Sequence, residues 1–210
     1  MQNNDINNLI TIIKRHLQAN QLDDALLLTD ALLNKTLDNK ELWVIKGIIK
    51  FHYKKYQESN DCFNKALELD PKFVDALINN GVALEKLHKF QEATESFNTV
   101  LSIDPINCVA WYNKGNILAN IGKYEDALSC YELAIGIDPY FSKAWFEKAN
   151  TLAILASLQD ALTCYDTALE LSPNNTSFLY NKGIVLEKLG NTNAATECFK
   201  QISLIKQEKQ

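Results

Sequence analysis

The sequence lacks most of the features that declare a chemistry. It holds only four prolines, three histidines and one methionine in 210 residues. It contains no glycine-rich phosphate loop, nucleophile elbow or HExxH run, which removes the usual signatures of nucleotide hydrolysis, acyl transfer and zinc hydrolysis. Nor does any C-x-x-C spacing occur, so the common zinc-site patterns are missing. The formal net charge is −5 and the 21 Lys and Arg residues do not cluster, so the basic footprint of a nucleic-acid binder is missing too. No apolar run approaches the length that crosses a bilayer, and the opening MQNNDINNLI has neither the basic start nor the apolar core of a secretory signal. The expectation is a cytoplasmic, non-enzymatic chain in a reducing compartment. It should have no cofactor, metal, nucleic-acid partner or membrane insertion.

What is present is a period. Trp111 returns as Trp145 after 34 residues, and the same slot holds Leu77 and Trp43 in the other direction. Gly115 aligns with Gly47, Gly81 and Gly183, with Ala149 as the variant. Ala127 aligns with Ala25, Ala93, Ala161 and Ala195, with Ser59 as the exception. Pro139 aligns with Pro71, Pro105 and Pro173, which accounts for every proline. A fixed period in this range implies stacked supersecondary units, none able to bury its apolar face alone. Cys62, Cys130, Cys164 and Cys198 share one slot of the period. Neighbouring helix axes lie ~8–10 Å apart and a disulfide needs Cα atoms within ~7 Å, so a disulfide ladder is excluded and these thiols are packing residues. His16, His52 and His88 stand 36 apart, drift against the period and cannot converge on a metal.

Each unit should be two helices. Trp111, Ile117 and Leu118 return at helical spacing within Val109–Asn120, and Ile121-Gly122-Lys123 supplies a turn. A second helix is expected from about Tyr124 to Gly136, with Ala127, Leu128, Tyr131 and Ala134 on one face. Asp138-Pro139 stops it, and the same pair is expected to start the next helix, Asp as N-cap and Pro at the first helical position. A helix-interior glycine costs roughly 1 kcal/mol against alanine, so its recurrence predicts close helix approach, with Gly115 and Ala127 at the crossing.

The residues Trp111, Gly115, Leu118, Ala127, Tyr131, Ala134 and Pro139 together resemble the tetratricopeptide repeat. The resemblance implies an all-α, right-handed α–α superhelix, a solenoid of about six helix-turn-helix repeats in a single array over 1–210. Five units are clear, at 40–73, 74–107, 108–141, 142–175 and 176–209. A weaker one spans 6–39, with Ile13 at the glycine slot and Leu37 at the proline slot.

In the resembling family, one stripe of each first helix forms a concave groove that binds a peptide segment or helix of a partner protein. Transferred to this sequence, the groove comprises Val44, Ile45, Ile48, Ile78, Asn79 and Val82, then Tyr112, Asn113 and Asn116. It continues with Lys143, Phe146, Glu147, Asn150, Tyr180 and Asn181, followed by Ile184. Asparagine offers donors and an acceptor to the main chain of an extended guest. Members that grip acidic chaperone tails carry lysine at the fifth position of a unit. Here that position never holds lysine, and Glu147 replaces the second cation after Lys143, where a carboxylate repels a carboxylate. No chaperone-tail clamp is expected. The functional expectation is a scaffold or adaptor. The alternative is a self-assembling subunit that associates through an uncapped C-terminal end bearing Ala195, Ile202 and Ile205.

Overall fold

The structure, a computed structural model, describes residues 3–207, with side chains from Asp5 onward. Its described residues form helices joined by short turns and contain no strand. The chain divides into two compact units, Met1–Pro105 and Ile106–Gln210.

The first unit holds α1 (Asn3–Gln18), α2 (Leu22–Leu33), α3 (Lys40–His52), α4 (Tyr56–Leu69), α5 (Val74–Lys86) and α6 (Phe90–Ile103). Its core runs from Ile10 and Ile13 through Leu32 and Leu33 to Leu42, Ile45 and Ile49. A neighbouring cluster joins Val44, Phe63, Ala66, Ala76 and Ala83. The second unit holds α7 (Cys108–Asn120), α8 (Tyr124–Ile137), α9 (Ser142–Ile154), α10 (Leu158–Leu171), α11 (Thr176–Lys188) and α12 (Thr192–Gln207). One of its cores gathers Ala149, Ala161, Leu162, Tyr165, Val185, Leu186 and Ala195. Inside each unit every helix packs on the next, and first helices of successive pairs also touch, as α3 does with α5 and α9 with α11.

The turn inside each pair is the same in all six. Asn20, Lys54, His88, Gly122, Ala156 and Gly190, each 34 residues from the next, have φ between 56° and 79°. The following amide reaches back five residues to a carbonyl: Lys55 N to Lys50 O at 3.0 Å, Lys123 N to Leu118 O at 2.8 Å. This left-handed C-terminal closure satisfies carbonyls the helix end leaves orphaned. His88 therefore belongs to a turn.

The turn between pairs corrects one expectation. Asp138 is the C-cap of α8, while α9 begins at Ser142 after Phe141. The Asp138 carboxylate accepts the Tyr140 amide at 3.0 Å and Asp70 accepts Lys72 at 3.0 Å. The acid thus folds a local turn instead of opening the next helix, because a short carboxylate reaches the amide two residues on more readily than a helix three residues away. The true N-cap side chains are Asn39, Asn107 and Asn175, which accept amides of the first turns of α3, α7 and α11.

The glycine slot marks a close approach between the helices of a pair. A Cβ on Gly115 would stand 2.6 Å from Tyr131 Cε1, one on Gly81 2.6 Å from Phe97 and one on Gly183 2.6 Å from Phe199. The nearest partner is thus an aromatic ring of the second helix, sixteen residues on. In the first pair both members change: Ile13 takes the glycine slot and Thr29 the aromatic slot, each fully buried.

Candidate functional site

The candidate groove residues lie on the first helices, and the two units place them in different surroundings. In Met1–Pro105, Val44 and Ile45 are only 6% and 3% exposed and belong to the core, so they are more covered than an open groove wall requires. The reason is that α3 has apolar neighbours on both sides, α2 and α5 among them, so a helix apolar nearly all round is covered nearly all round. They still form the floor of a pocket of about 290 Å³, which also includes Ile48, Leu17 and Phe73. Lys14, Glu41, Asp75 and Asn79 make its rim, with Lys14 3.7 Å from Glu41. The half-buried Ile78 and Val82 are not among its lining residues. Leu17 and Phe73 were missed by the stripe because one ends a first helix and the other precedes one; their apolar character next to a helix boundary is the signal that marks them.

In Ile106–Gln210 the stripe is built of aromatics and asparagines that serve one another. Tyr112 lies 4.9 Å from Phe141, and Phe146 stacks on Phe178 at 4.4 Å. Tyr180 lies 5.9 Å from Phe199 and is 54% exposed. The Tyr131 hydroxyl donates to Asn116 Oδ1 at 3.0 Å, and the Tyr165 hydroxyl donates to Asn150 Oδ1 at 2.6 Å. Asn181 Nδ2 donates to the same Asn150 oxygen at 2.9 Å, while Asn150 Nδ2 donates to Glu147 at 3.0 Å. Burial first, and then the Glu147 carboxylate, pushes both tyrosine hydroxyls well above their ordinary range. They are therefore donors, and the asparagine oxygens are their acceptors.

The asparagines are accordingly less available than the sequence suggests. Asn113 is 8% exposed and donates to Val109 O at 2.8 Å. Asn150 has both ends engaged. Asn79 donates to Asp75 O at 2.7 Å. Lys143 is exposed. Asn150 and Asn181, with Ile184 and Tyr165, line a cavity of about 250 Å³, and Tyr180 and Asn181 line another of about 260 Å³ with Ile202 and Lys206.

Of two further expectations, the one for the C-terminal end is met differently and the one for the thiols as packing residues is met as read. Ala195 and Ile205 are 1% and 7% exposed, so they do not form a bare apolar end. α12 runs from Thr192 to Gln207, and Ala195 packs in the core with Ala161, Leu162 and Leu186. All five cysteines are free. Burial pushes the Cys62 thiol up to about 11 and raises Cys130, Cys164 and Cys198 as well, the opposite of what activates a thiol. Among the described residues, no group of three His, Cys, Asp or Glu side chains is placed to hold a metal, and no helix is long and apolar enough to cross a membrane.

Models described as tetratricopeptide repeat match residues 108–141 and, separately, 40–73 and 176–208; one described as TPR repeat matches 150–190. No curated protein matches the chain. Solved structures do. PilW, titled a widely conserved type IV pilus biogenesis factor, is 22% identical with a TM-score of 0.88, covering 97% of this chain and 94% of its own. The pilF protein of Pseudomonas aeruginosa is 15% identical with a TM-score of 0.82, covering 95% and 90%. YrrB, titled a TPR protein with an unusual peptide-binding site, is 20% identical with a TM-score of 0.60, covering 84% and 91%. At such identities the likeness is one of fold.

Proposed function

This chain belongs to the tetratricopeptide repeat family, and we propose that it is a non-catalytic scaffold that holds an apolar-anchored segment of a partner protein. The observation carrying this reading is the pocket of about 290 Å³ over Val44, Ile45 and Ile48. Its apolar floor suits one aliphatic or aromatic anchor. Its rim offers Lys14 and Asp75, charges of both signs, to the flanking residues. With Asn79 Nδ2 tied to Asp75, the carbonyl oxygen of that side chain remains to accept a guest amide. One anchor of leucine size contributes about 1.5–3 kcal/mol, or roughly ten- to hundredfold in Kd. Affinity beyond that range depends on contacts with the rim residues as well as the anchor.

The test is a random peptide library displayed on phage, selected on the wild-type chain and screened against Ile48→Lys, with Ile106→Lys as control because Ile106 is 72% exposed and outside the pocket. Enriched sequences should carry a large apolar residue, bind the control and lose Ile48→Lys. Equal binding to both variants refutes the assignment. Self-association through the last helix pair has less to stand on, since Ala195 and Ile205 are buried and only the half-buried Ile202 remains of that patch, beside Leu204 at 51% exposed. Sedimentation that does not change with concentration removes it.

A further inference from the structure

On α10, α11 and α12, away from the first-helix stripe, lies an open groove of about 860 Å³. Its origin is one slot of the period. Where that slot holds tryptophan, the indole is tied to the loop before its helix: Trp43 Nε1 donates to Leu37 O at 2.8 Å and Trp145 Nε1 to Pro139 O at 3.0 Å. A lysine three residues on covers each ring, Lys46 at 5.7 Å and Lys148 at 5.9 Å. That lysine then pairs with the preceding second helix, Lys46 with Asp30 at 2.7 Å and Lys148 with Glu132 at 2.9 Å.

The last junction keeps every part except the indole. Lys182 pairs with Asp166 at 2.5 Å, and Pro173 stands where Pro139 stood one unit earlier. The tryptophan slot is Leu179. Pro173 and Leu179 both line the groove, and among the described residues no donor is bonded to the Pro173 carbonyl. Leu9 and Leu77 also hold leucine in this slot; Leu9 has no helix pair before it, and the junction at Leu77 is bridged by another device. Asn60 donates to Asn80 at 2.5 Å and Asn80 donates to Asn64 at 3.1 Å. The corresponding positions of the last junction are Leu162, Lys182 and Asp166, which cannot form that bridge.

The floor of the groove is apolar, formed by Leu162, Leu179, Leu186 and Cys198. At its edge, Glu170 and Glu197 have no cation partner among the described residues, because the one lysine present is engaged by Asp166. We propose that this groove takes a tryptophan side chain from a partner protein, carried on a segment with lysine or arginine beside it. The indole takes the place that the chain's own Trp145 takes one junction earlier and donates to the Pro173 carbonyl. The flanking cations pair with Glu170 and Glu197. The charge argues for this occupant, and so does the slot itself: its tenant is one the chain supplies elsewhere, as Trp43 and Trp145.

The probe is a short synthetic peptide with one tryptophan between pairs of lysines, titrated into the isotope-labelled full chain and followed by amide chemical shifts. Saturable shifts should centre on Leu179, Leu186 and Cys198, and a peptide with alanine for tryptophan should not produce them. Leu179→Trp restores the residue found at the sibling junctions, so it should fold, fill the groove and weaken binding by at least about tenfold. Glu197→Lys, at an exposed position, should weaken it in the same direction and remains informative if the tryptophan variant folds poorly. Undiminished affinity for a folded Leu179→Trp, for Glu197→Lys or for the alanine peptide overturns the proposal. So do shifts that map elsewhere, or no saturation up to about 1 mM, the limit for a weak single-anchor complex.

Discussion

Replacing Gly115 by alanine isolates the contact on which each helix pair closes. Built on the existing backbone, the new Cβ meets Tyr131 Cε1 at 2.6 Å and Cδ1 at 2.8 Å. Real carbon contacts do not come so close, so the ring must move. Tyr131 is 1% exposed and its hydroxyl is fixed to Asn116 Oδ1 at 3.0 Å, so the ring is held at both ends. Overpacking of this kind costs about 1–3 kcal/mol, and losing the acceptor of a buried hydroxyl adds about 1–3 kcal/mol if the ring swings away. Against this, alanine gains about 1 kcal/mol over glycine inside a helix. Gly115→Ala should therefore lower stability by about 1–3 kcal/mol, with relaxation absorbing the remainder. Gly136 supplies the control: it lies in α8 with nothing within 4 Å of an added Cβ, so Gly136→Ala should raise stability by up to about 1 kcal/mol.

Thermal and urea unfolding followed by circular dichroism would read both variants. At this size each kcal/mol moves Tm by roughly 2–4 °C. Repeat arrays need not unfold in one step, so the decisive quantity is the opposite sign of the two shifts. Ala149, which faces Tyr165 in the next pair, shows that a ring can be set to admit a methyl group when the unit is built around it. A Gly115→Ala chain as stable as wild type would mean that the ring is free to do this anywhere, and the closeness argument would fail.

Three other outcomes follow from single residues. Ala156 holds φ at 62° where Gly122 and Gly190 hold 79°. The left-handed region costs an L-residue about 1–2 kcal/mol and glycine's extra unfolded freedom returns about 0.5–1 kcal/mol of that, so Ala156→Gly should raise Tm slightly; a lower Tm refutes it. Asn150→Ala removes the acceptor of the Tyr165 hydroxyl and the Asn181 amide together, and should cost about 1–3 kcal/mol in urea unfolding even with no ligand present; an unchanged midpoint would show that water replaces it. The buried thiols are held protonated by folding, with Cys62 raised to about 11. Their contribution is complete below the unfolded value of about 8.5 and is lost as pH rises through the folded values, because the unfolded chain then releases protons that the folded chain keeps. Melts should weaken steadily on the alkaline side, and a flat profile there would contradict the burial.

The architecture was legible because it is written in phase. Gly115 and Tyr131, Ala127, Ala134 and Pro139 recur at one period, and the helices from α3 onward begin within the units that period marks. The site was legible only in part. A stripe on one helix says which way a side chain leaves the backbone, but not what the neighbouring helices do to it. Val44 and Ile45 leave α3 on the expected side and are buried there by other helices. Asn116 and Asn150 occupy the expected slot, but their oxygens are taken by tyrosine hydroxyls fifteen residues on. That pairing was open to inference: a tyrosine at a buried slot needs an acceptor, and the second helices with Tyr131 and Tyr165 are those whose first helices carry Asn116 and Asn150, whereas Phe63 and Phe97 go with Ile48 and Val82.

The same logic explains why the weakest unit by sequence still folds as a pair. Ile13 and Thr29 violate the pattern one by one, yet they violate it in opposite directions: the glycine slot grows and the aromatic slot shrinks, and both side chains end fully buried. What recurs along this chain is the combined volume of two facing slots, and residue identity follows from it. Gly47 with Phe63, Gly115 with Tyr131, and Ile13 with Thr29 are solutions to one constraint, because a close-packed interior tolerates neither a void nor an overlap of a methyl group. At the tryptophan slot, where Trp43 and Trp145 are half-buried and border solvent, the constraint is relaxed. There the tryptophan slot drifts to Leu77 and Leu179, with an asparagine bridge closing the first and an open groove left at the second. A departure from the period inside the core thus calls for a compensating residue within the same chain. On the surface it leaves space that another molecule can fill.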